Sequence, residues 1–100
     1  MQLSSNELKE IKSYFTGKPV IKAYLFGSYS RNDASNESDV DILVDLDYSK
    51  HIGLGFVQMQ QDLQQKLKKR IDLFSTKSIS KFLLPFVEKD KVLIYERQAG

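Results

Sequence analysis

A run of alternating acidic and apolar residues in the middle of the chain constrains the fold most. Asp39 and Asp41 alternate with Val40, Ile42 and Val44, which is typical of a β-strand with one polar and one apolar face. Aspartate is disfavoured in strands, and two on the same face stand only about 6 to 7 Å apart and repel each other. The pattern predicts a sheet whose apolar face is covered by helices and whose acidic face holds a cation.

Further strands and helices are predicted around this strand. Ser4 and Glu7 are spaced as a capping box, and apolar residues after position 51 recur every three or four positions, as on a half-buried helix. The predicted elements are a helix from Ser4, a strand Val20 to Phe26, a helical turn and loop over 29–38, a strand Asp39 to Leu46, a helix His51 to Lys69, a strand Arg70 to Phe74, a short helix through Leu84 and Val87 capped by Ser78 or Ser80, and a strand Lys91 to Tyr95. They predict an α/β (α+β) fold, a small mixed sheet of about four strands with helices mainly on one face, in a single domain over residues 1–100.

Composition narrows the classes of function. A chain of 100 residues, 41% of them hydrophobic, can bury one core, and the lack of cysteine excludes disulfides and zinc–thiolate sites. A net charge of +2 is too small for nucleic acid to be expected as the main partner. No apolar run approaches the roughly 18 to 20 residues that span a bilayer, and the first ten residues are polar. A cytoplasmic location without membrane contact is expected.

Two further features point to phosphate and metal chemistry. Gly27 and Ser28 directly follow a strand, where glycine lets the backbone approach a ligand and a helical turn offers amides to phosphate. Asp72 interrupts an apolar strand, where a buried carboxylate needs a cation. Ordinary alternatives exist: glycine–serine is common in such turns, the acidic strand can be a solvated face, and Asp72 can pair with a basic residue at 68–70.

The glycine–serine turn and the acidic residues stand at a specific spacing. Phe26-Gly27-Ser28 is followed by Arg31, then by Ser38-Asp39-Val40-Asp41 and an apolar strand, and later by Ile71-Asp72-Leu73. This pattern resembles the signature of the DNA polymerase β-like nucleotidyltransferase superfamily, in its minimal (MNT-type) branch, and the resemblance covers most of the chain. One departure is Asn32, where many members have glycine. Asparagine tolerates a left-handed backbone, so the loop is expected to keep its shape.

The resemblance implies a nucleotide site and a reaction. The reaction is transfer of a nucleoside monophosphate from a nucleoside triphosphate, expected to be ATP, to a hydroxyl with release of pyrophosphate. The implied catalytic residues and ligands of Mg²⁺, with two ions expected, are Asp39, Asp41 and Asp72. The implied nucleotide-binding residues are Gly27, Ser28, Arg31 and Ser38. Asp72 is also the candidate base for the acceptor proton.

A catalytic core without further domains also implies a partner. Members of this branch are commonly paired with a helical HEPN-type protein, in several cases as antitoxin to an RNase toxin, so a tyrosine of such a toxin is the expected acceptor. A homo- or hetero-oligomer is expected to form the complete site. Two alternatives stay open: a non-catalytic antitoxin that masks a HEPN-like partner by binding alone, and a small-molecule (aminoglycoside-type) nucleotidyltransferase.

Overall fold

A mixed sheet of four strands with three helices forms the fold. The computed structural model describes residues 2–35 and 37–98, and the elements are α1 Ser5–Phe15, β1 Val20–Phe26, β2 Val40–Leu46, α2 Gly55–Leu67, β3 Ile71–Ser75, α3 Leu84–Asp90 and β4 Val92–Glu96. The strand order is β3-β2-β1-β4. β1 is antiparallel to β2 and to β4, whereas β2 and β3 are parallel. The predicted fold class is confirmed.

One face of the sheet carries the main core. Val40, Ile42 and Val44 of β2 are fully buried there, together with Phe15 of α1 and Leu63 of α2. These β2 positions share a face because side chains alternate along a strand. The two longer helices cover this face. Within the described ranges, no helix is long and apolar enough to cross a membrane.

The opposite face of the sheet is covered by α3. Val87 of α3 is buried against Phe26 of β1 and Leu43 of β2, and Phe74 of β3 packs at the side of this cluster. The acidic positions of β2 share this face with Leu43, since they alternate with the residues of the main core. The polar face of the predicted strand therefore stands beside α3 and outside the main core.

The first helix begins as predicted. The Ser4 hydroxyl accepts a hydrogen bond from the Glu7 amide (3.1 Å), and the Glu7 carboxylate accepts one from the Ser4 amide (2.8 Å), which completes the capping box. Strand β1 has its predicted bounds, and β2, β3 and β4 each begin one residue later than predicted. Local patterns thus locate these elements well.

Two helix starts were predicted wrongly. The helix expected from His51 starts only at Gly55, because Gly53 has a φ of +48°, which a right-handed helix does not contain. Helix α3 has no serine cap at its start. Instead the Ser80 hydroxyl accepts a hydrogen bond from the Phe82 amide (3.1 Å) in the turn before the helix. In both cases a turn occupies residues that the sequence pattern assigns to a helix.

The loop after β1 contains one asparagine in a left-handed conformation. Asn32 has a φ of +61°, a region in which glycine and asparagine are favoured over residues with a bulkier Cβ. The expectation that asparagine can stand where related sequences have glycine is confirmed by this backbone.

Replacing Asn32 with valine is expected to lower the free energy of unfolding by about 1 to 2 kcal/mol, because a β-branched residue is strained at positive φ. Asn32→Gly should change it by less than about 0.5 kcal/mol. Urea unfolding of the three proteins measures the difference. An equal loss in both variants would assign the effect to contacts of the asparagine side chain and not to the backbone.

Candidate active site

The three predicted carboxylates lie at the end of the sheet where β2 and β3 begin. Asp41 in β2 is paired in register with Asp72 in β3, and Asp39 immediately precedes β2. β2 and β3 are parallel, so both strands present their first residues at the same edge. The fold therefore brings together acidic residues from two separate segments of the chain.

The turn that follows β1 passes directly against Asp41. Phe26, the last residue of β1, is paired with Asp41 because the two strands are antiparallel. Gly27 then turns away with a φ of +73°, and a Cβ at this position would lie 2.4 Å from Asp41 Oδ2. Only glycine fits here, because both the backbone conformation and the space beside the carboxylate exclude a side chain.

Two of the carboxylates, Asp41 and Asp72, have a raised pKa. Burial raises the pKa of Asp41 to about 6, the negative charges of Asp72 and Asp39 add to the shift, and the positive charge of Arg31 opposes it. Burial also raises the pKa of Asp72, and Asp39 adds to this through its charge and a hydrogen bond. A cation between like charges reverses such shifts. When its carboxylates are ionised, the site therefore gains stability by binding a cation.

An arginine at the start of β3 contacts the acidic group. Arg70 Nε lies 2.9 Å from Asp39 Oδ1, yet this buried oxygen accepts no hydrogen bond within the described residues. Arg70 opposes the raised pKa of Asp72 only through its charge. The alternative in which Asp72 forms an ion pair with a residue at 68–70 therefore does not describe this site.

The predicted phosphate-binding arginine reaches across to α3. Arg31 Nη1 lies 2.5 Å from Asp90 Oδ2, and Arg31 Nε lies 3.2 Å from Asp33 Oδ2. The charge of Arg31 also acts on Asp41, whose pKa it lowers. Arg31 thus contacts the last helix, and its charge acts on the carboxylates.

The two predicted serines occupy different positions. Ser28 lies in a single 3-10 turn at Gly27–Tyr29, and its carbonyl accepts a hydrogen bond from the Asp33 amide (3.0 Å). The Ser38 hydroxyl accepts a hydrogen bond from the Ser35 amide (2.9 Å). Ser28 directly follows the glycine that passes against Asp41, whereas Ser38 directly precedes Asp39 and closes the loop that leads into β2.

The residues present suit a hard divalent cation. Mg²⁺ prefers carboxylate oxygen, and the site offers three carboxylates, one of them with the buried oxygen of Asp39 that accepts no hydrogen bond. Gly27 leaves Asp41 uncovered by a side chain. Within residues 2–35 and 37–98, no three acidic, histidine or cysteine side chains already form a metal-binding group. Metal binding by Asp39, Asp41 and Asp72 stays a prediction.

The raised pKa of Asp41 predicts a pH dependence of stability. The folded value of about 6 lies above the ordinary 3.8, so the folded state binds more protons in this window and stability falls as pH rises from about 4 to 6. Allowing for partial exposure, the loss is about 1 to 2 kcal/mol. Asp41→Asn should remove this part of the loss and be the more stable protein at pH 7. Urea unfolding in EDTA at pH 4 and pH 7 measures this, and a parallel fall in both proteins would contradict it.

Sequence reasoning missed two charged residues of the site, Arg70 and Asp90. Arg70 was predicted only as the start of the third strand, as one of several cations near a helix end and as one possible partner of Asp72, and Asp90 received no assignment. A signal for Asp90 exists, because an acidic residue at the end of a helix is disfavoured by the helix dipole and needs a cation nearby. Which cation it would find depends on where α3 packs, and the sequence does not show that.

Comparison with known proteins agrees with this geometry. A family model described as polymerase beta nucleotidyltransferase matches residues 9–99. Protein adenylyltransferase MntA of Thermococcus cleftensis is 34% identical over 70% of this chain and 70% of its own. The family model spans both the glycine–serine turn and the acidic strand.

Solved structures share the fold. A crystal structure of a toxin–antitoxin with AMP-PNP superposes with a TM-score of 0.76 at 25% identity, covering 91% of this chain and 74% of that one. A complex of tri-AMPylated Shewanella oneidensis HEPN toxin with MNT antitoxin superposes with a TM-score of 0.72 at 22% identity, covering 96% and 75%. The second similarity shows the fold alone.

Proposed function

The chain belongs to the polymerase beta nucleotidyltransferase family, and from this we propose that it transfers AMP from ATP, in the presence of Mg²⁺, to a tyrosine hydroxyl of a HEPN-type toxin and so acts as its antitoxin. The observation that carries the proposal is the pairing of Asp41 with Asp72 beside Gly27. Acids held together at raised pKa cost stability. A surface that only binds a partner has no need of them.

Each residue that the sequence predicted for the site has a part in this chemistry. When bound, a divalent cation on Asp39, Asp41 and Asp72 would stabilise phosphate charge and lower the pKa of the acceptor hydroxyl. The turn at Gly27 and Ser28 holds the β- and γ-phosphates, with Ser38 completing the loop beside it, and Arg31 offsets part of their charge. The acceptor oxygen forms a bond to the α-phosphorus. The bond between the α-phosphorus and the oxygen that bridges the α- and β-phosphates breaks, and pyrophosphate leaves. Asp72 accepts the hydroxyl proton as the general base.

A protein acceptor is supported by an exposed apolar surface beside α3. Phe82 and Phe86 are 88% and 66% exposed, and α3 covers the face of the sheet that carries the acidic residues. Exposed aromatic side chains of this kind mark interaction surfaces. In the related solved complexes the partner is a toxin, and in one of them the HEPN toxin is tri-AMPylated. We extend that acceptor class to this chain.

The test uses ATP labelled at either end. The protein is incubated with Mg²⁺ and with a HEPN-type protein encoded beside it, using ATP labelled on the α-phosphate or on the γ-phosphate. We expect covalent label on the HEPN-type protein from the α-labelled ATP only, and none when EDTA is present. Label from the γ-phosphate would instead indicate phosphoryl transfer and contradict the proposal.

The two alternatives give different results in the same assay. A masking antitoxin would bind the HEPN-type protein tightly without labelling it, and Asp41→Asn would not change the complex. A small-molecule nucleotidyltransferase would label an aminoglycoside and leave the protein acceptor unlabelled. Mass spectrometry of the labelled partner, before and after its tyrosines are replaced by phenylalanine, identifies the acceptor residue.

A further inference from the structure

Asp90 is a nearly buried carboxylate that the proposed chemistry does not use. It is the last residue of α3, its side chain is 11% exposed, and its Oδ2 lies 2.5 Å from Arg31 Nη1. A carboxylate removed from water to this degree costs free energy unless a cation compensates it. Among the described residues, Arg31 is the cation within ion-pair distance.

The position of Asp90 is unfavourable for the helix itself. The C-terminal end of a helix carries partial negative charge and disfavours an acidic residue. Lys91, the next residue, pairs with Glu88 at 3.1 Å and not with Asp90. Asp90 therefore adds nothing to α3 on its own, and its contact with Arg31 is the interaction that accounts for its place there.

Arg31 has a second acidic contact, and the two differ in kind. Asp33 is 58% exposed and lies only two residues away in the same loop, with Oδ2 3.2 Å from Arg31 Nε. An exposed contact of this kind holds a side chain weakly. Asp90 is less exposed, closer and carried by a packed helix, so it is the contact that restrains the guanidinium.

The restrained arginine belongs to the turn that passes against Asp41, since the Arg31 amide donates a hydrogen bond to the Gly27 carbonyl (3.2 Å). Three carboxylates repel a triphosphate, and the charge of Arg31 acts on Asp41 among them. Arginine has five N–H donors, and one on Nη1 and that on Nε serve Asp90 and Asp33. The remaining donors can bind phosphate oxygens without breaking the contact to α3.

We propose that Asp90 is a positioning residue, which holds Arg31 in place for the phosphates of the nucleotide. The inference rests on the proposed function, since it gives Arg31 a nucleotide to bind. It also makes α3 part of the nucleotide site, because Asp90 acts on the nucleotide through Arg31. Without Asp90, Arg31 would sample many conformations, and binding would have to order it again.

The test compares Asp90→Asn with Asp33→Asn, which removes the other carboxylate from the same arginine. Isothermal titration with ATP and Mg²⁺ gives the Kd, and transfer at saturating ATP gives the rate. We expect Asp90→Asn to raise the Kd about tenfold with a rate within about twofold of the wild type, since a hydrogen bond between charged groups is lost. Asp33→Asn should change the Kd by less than about twofold. Equal Kd values for the two variants would overturn the inference.

An Arg31→Met background separates positioning from a loss of fold. If Asp90 acts through Arg31, adding Asp90→Asn to Arg31→Met should leave the Kd unchanged, whereas damage to the fold would raise it in both backgrounds and overturn the inference. If the wild-type protein does not bind ATP at all, the proposed function fails as well. Normal wild-type binding with no effect of Asp90→Asn overturns only the positioning role.

Discussion

Gly27→Ala is expected to lower kcat/KM for nucleotide transfer about 10³-fold. The new methyl group would meet Asp41 Oδ2 at 2.4 Å, closer than the two atoms can approach. Asp41 sits on a central strand with buried neighbours on both sides, so its carboxylate must turn away from the site. Losing one well-placed charge at a metal–phosphate site costs several kcal/mol of transition-state stabilisation, and each 1.36 kcal/mol is a factor of ten.

The control for this variant is Gly17→Ala. Gly17 also has a positive φ, +86°, but a Cβ there would meet no atom within 4 Å. Both variants should lose about 1 to 2 kcal/mol of folding stability from the left-handed backbone, and only Gly27→Ala should lose ATP binding and transfer. Calorimetry with ATP, transfer rates and urea unfolding on both variants separate strain from contact. If both variants lost activity equally, the close approach to Asp41 would not be the cause.

The sheet could be predicted because its signals are local. Alternation along β2 and the capping box at Ser4 depend on residues a few positions apart, and the structure contains both. The start of α2 was misplaced because the apolar spacing extends back to Ile52, while the left-handed Gly53 interrupts the helix. A glycine in a helical pattern is ambiguous until its φ is known.

The site could be predicted only in part. The acidic residues were found because aspartate on an apolar strand is costly, and the pairing of Asp41 with Asp72 then required β2 and β3 to be neighbours and parallel. The resemblance to a known family supplied that arrangement, which the spacing alone does not. The contacts Arg70–Asp39 and Arg31–Asp90 depend on where β3 begins and where α3 packs. Such long-range pairs leave no pattern in the sequence.

Asp41→Asn is expected to lower the rate of nucleotide transfer about 10³-fold, although the variant still folds in the absence of ATP. Asparagine has nearly the same shape, but it removes the charge that lies nearest to the turn at Gly27. Neutral amide oxygen is a weaker ligand for Mg²⁺ than carboxylate, and a poorly held ion forfeits several kcal/mol at the transition state. Transfer of α-phosphate label to the acceptor, at saturating ATP and Mg²⁺, measures the loss.

The matched control is Asp45→Asn, on the same strand and the same face. Asp45 lies four residues beyond Asp41, away from the turn, and its Oδ1 lies 3.4 Å from the Thr76 hydroxyl. Its transfer rate should stay within about twofold of the wild type, because removing a half-exposed charge distant from the ion changes little. Without metal at pH 7, Asp41→Asn should also be more stable than the wild type, since the repulsion that raises the pKa of Asp41 is gone. An Asp41→Asn protein that is more stable but inactive would support a catalytic role for Asp41. An Asp41→Asn protein that is active, or that is inactive only because it unfolds, would contradict this role.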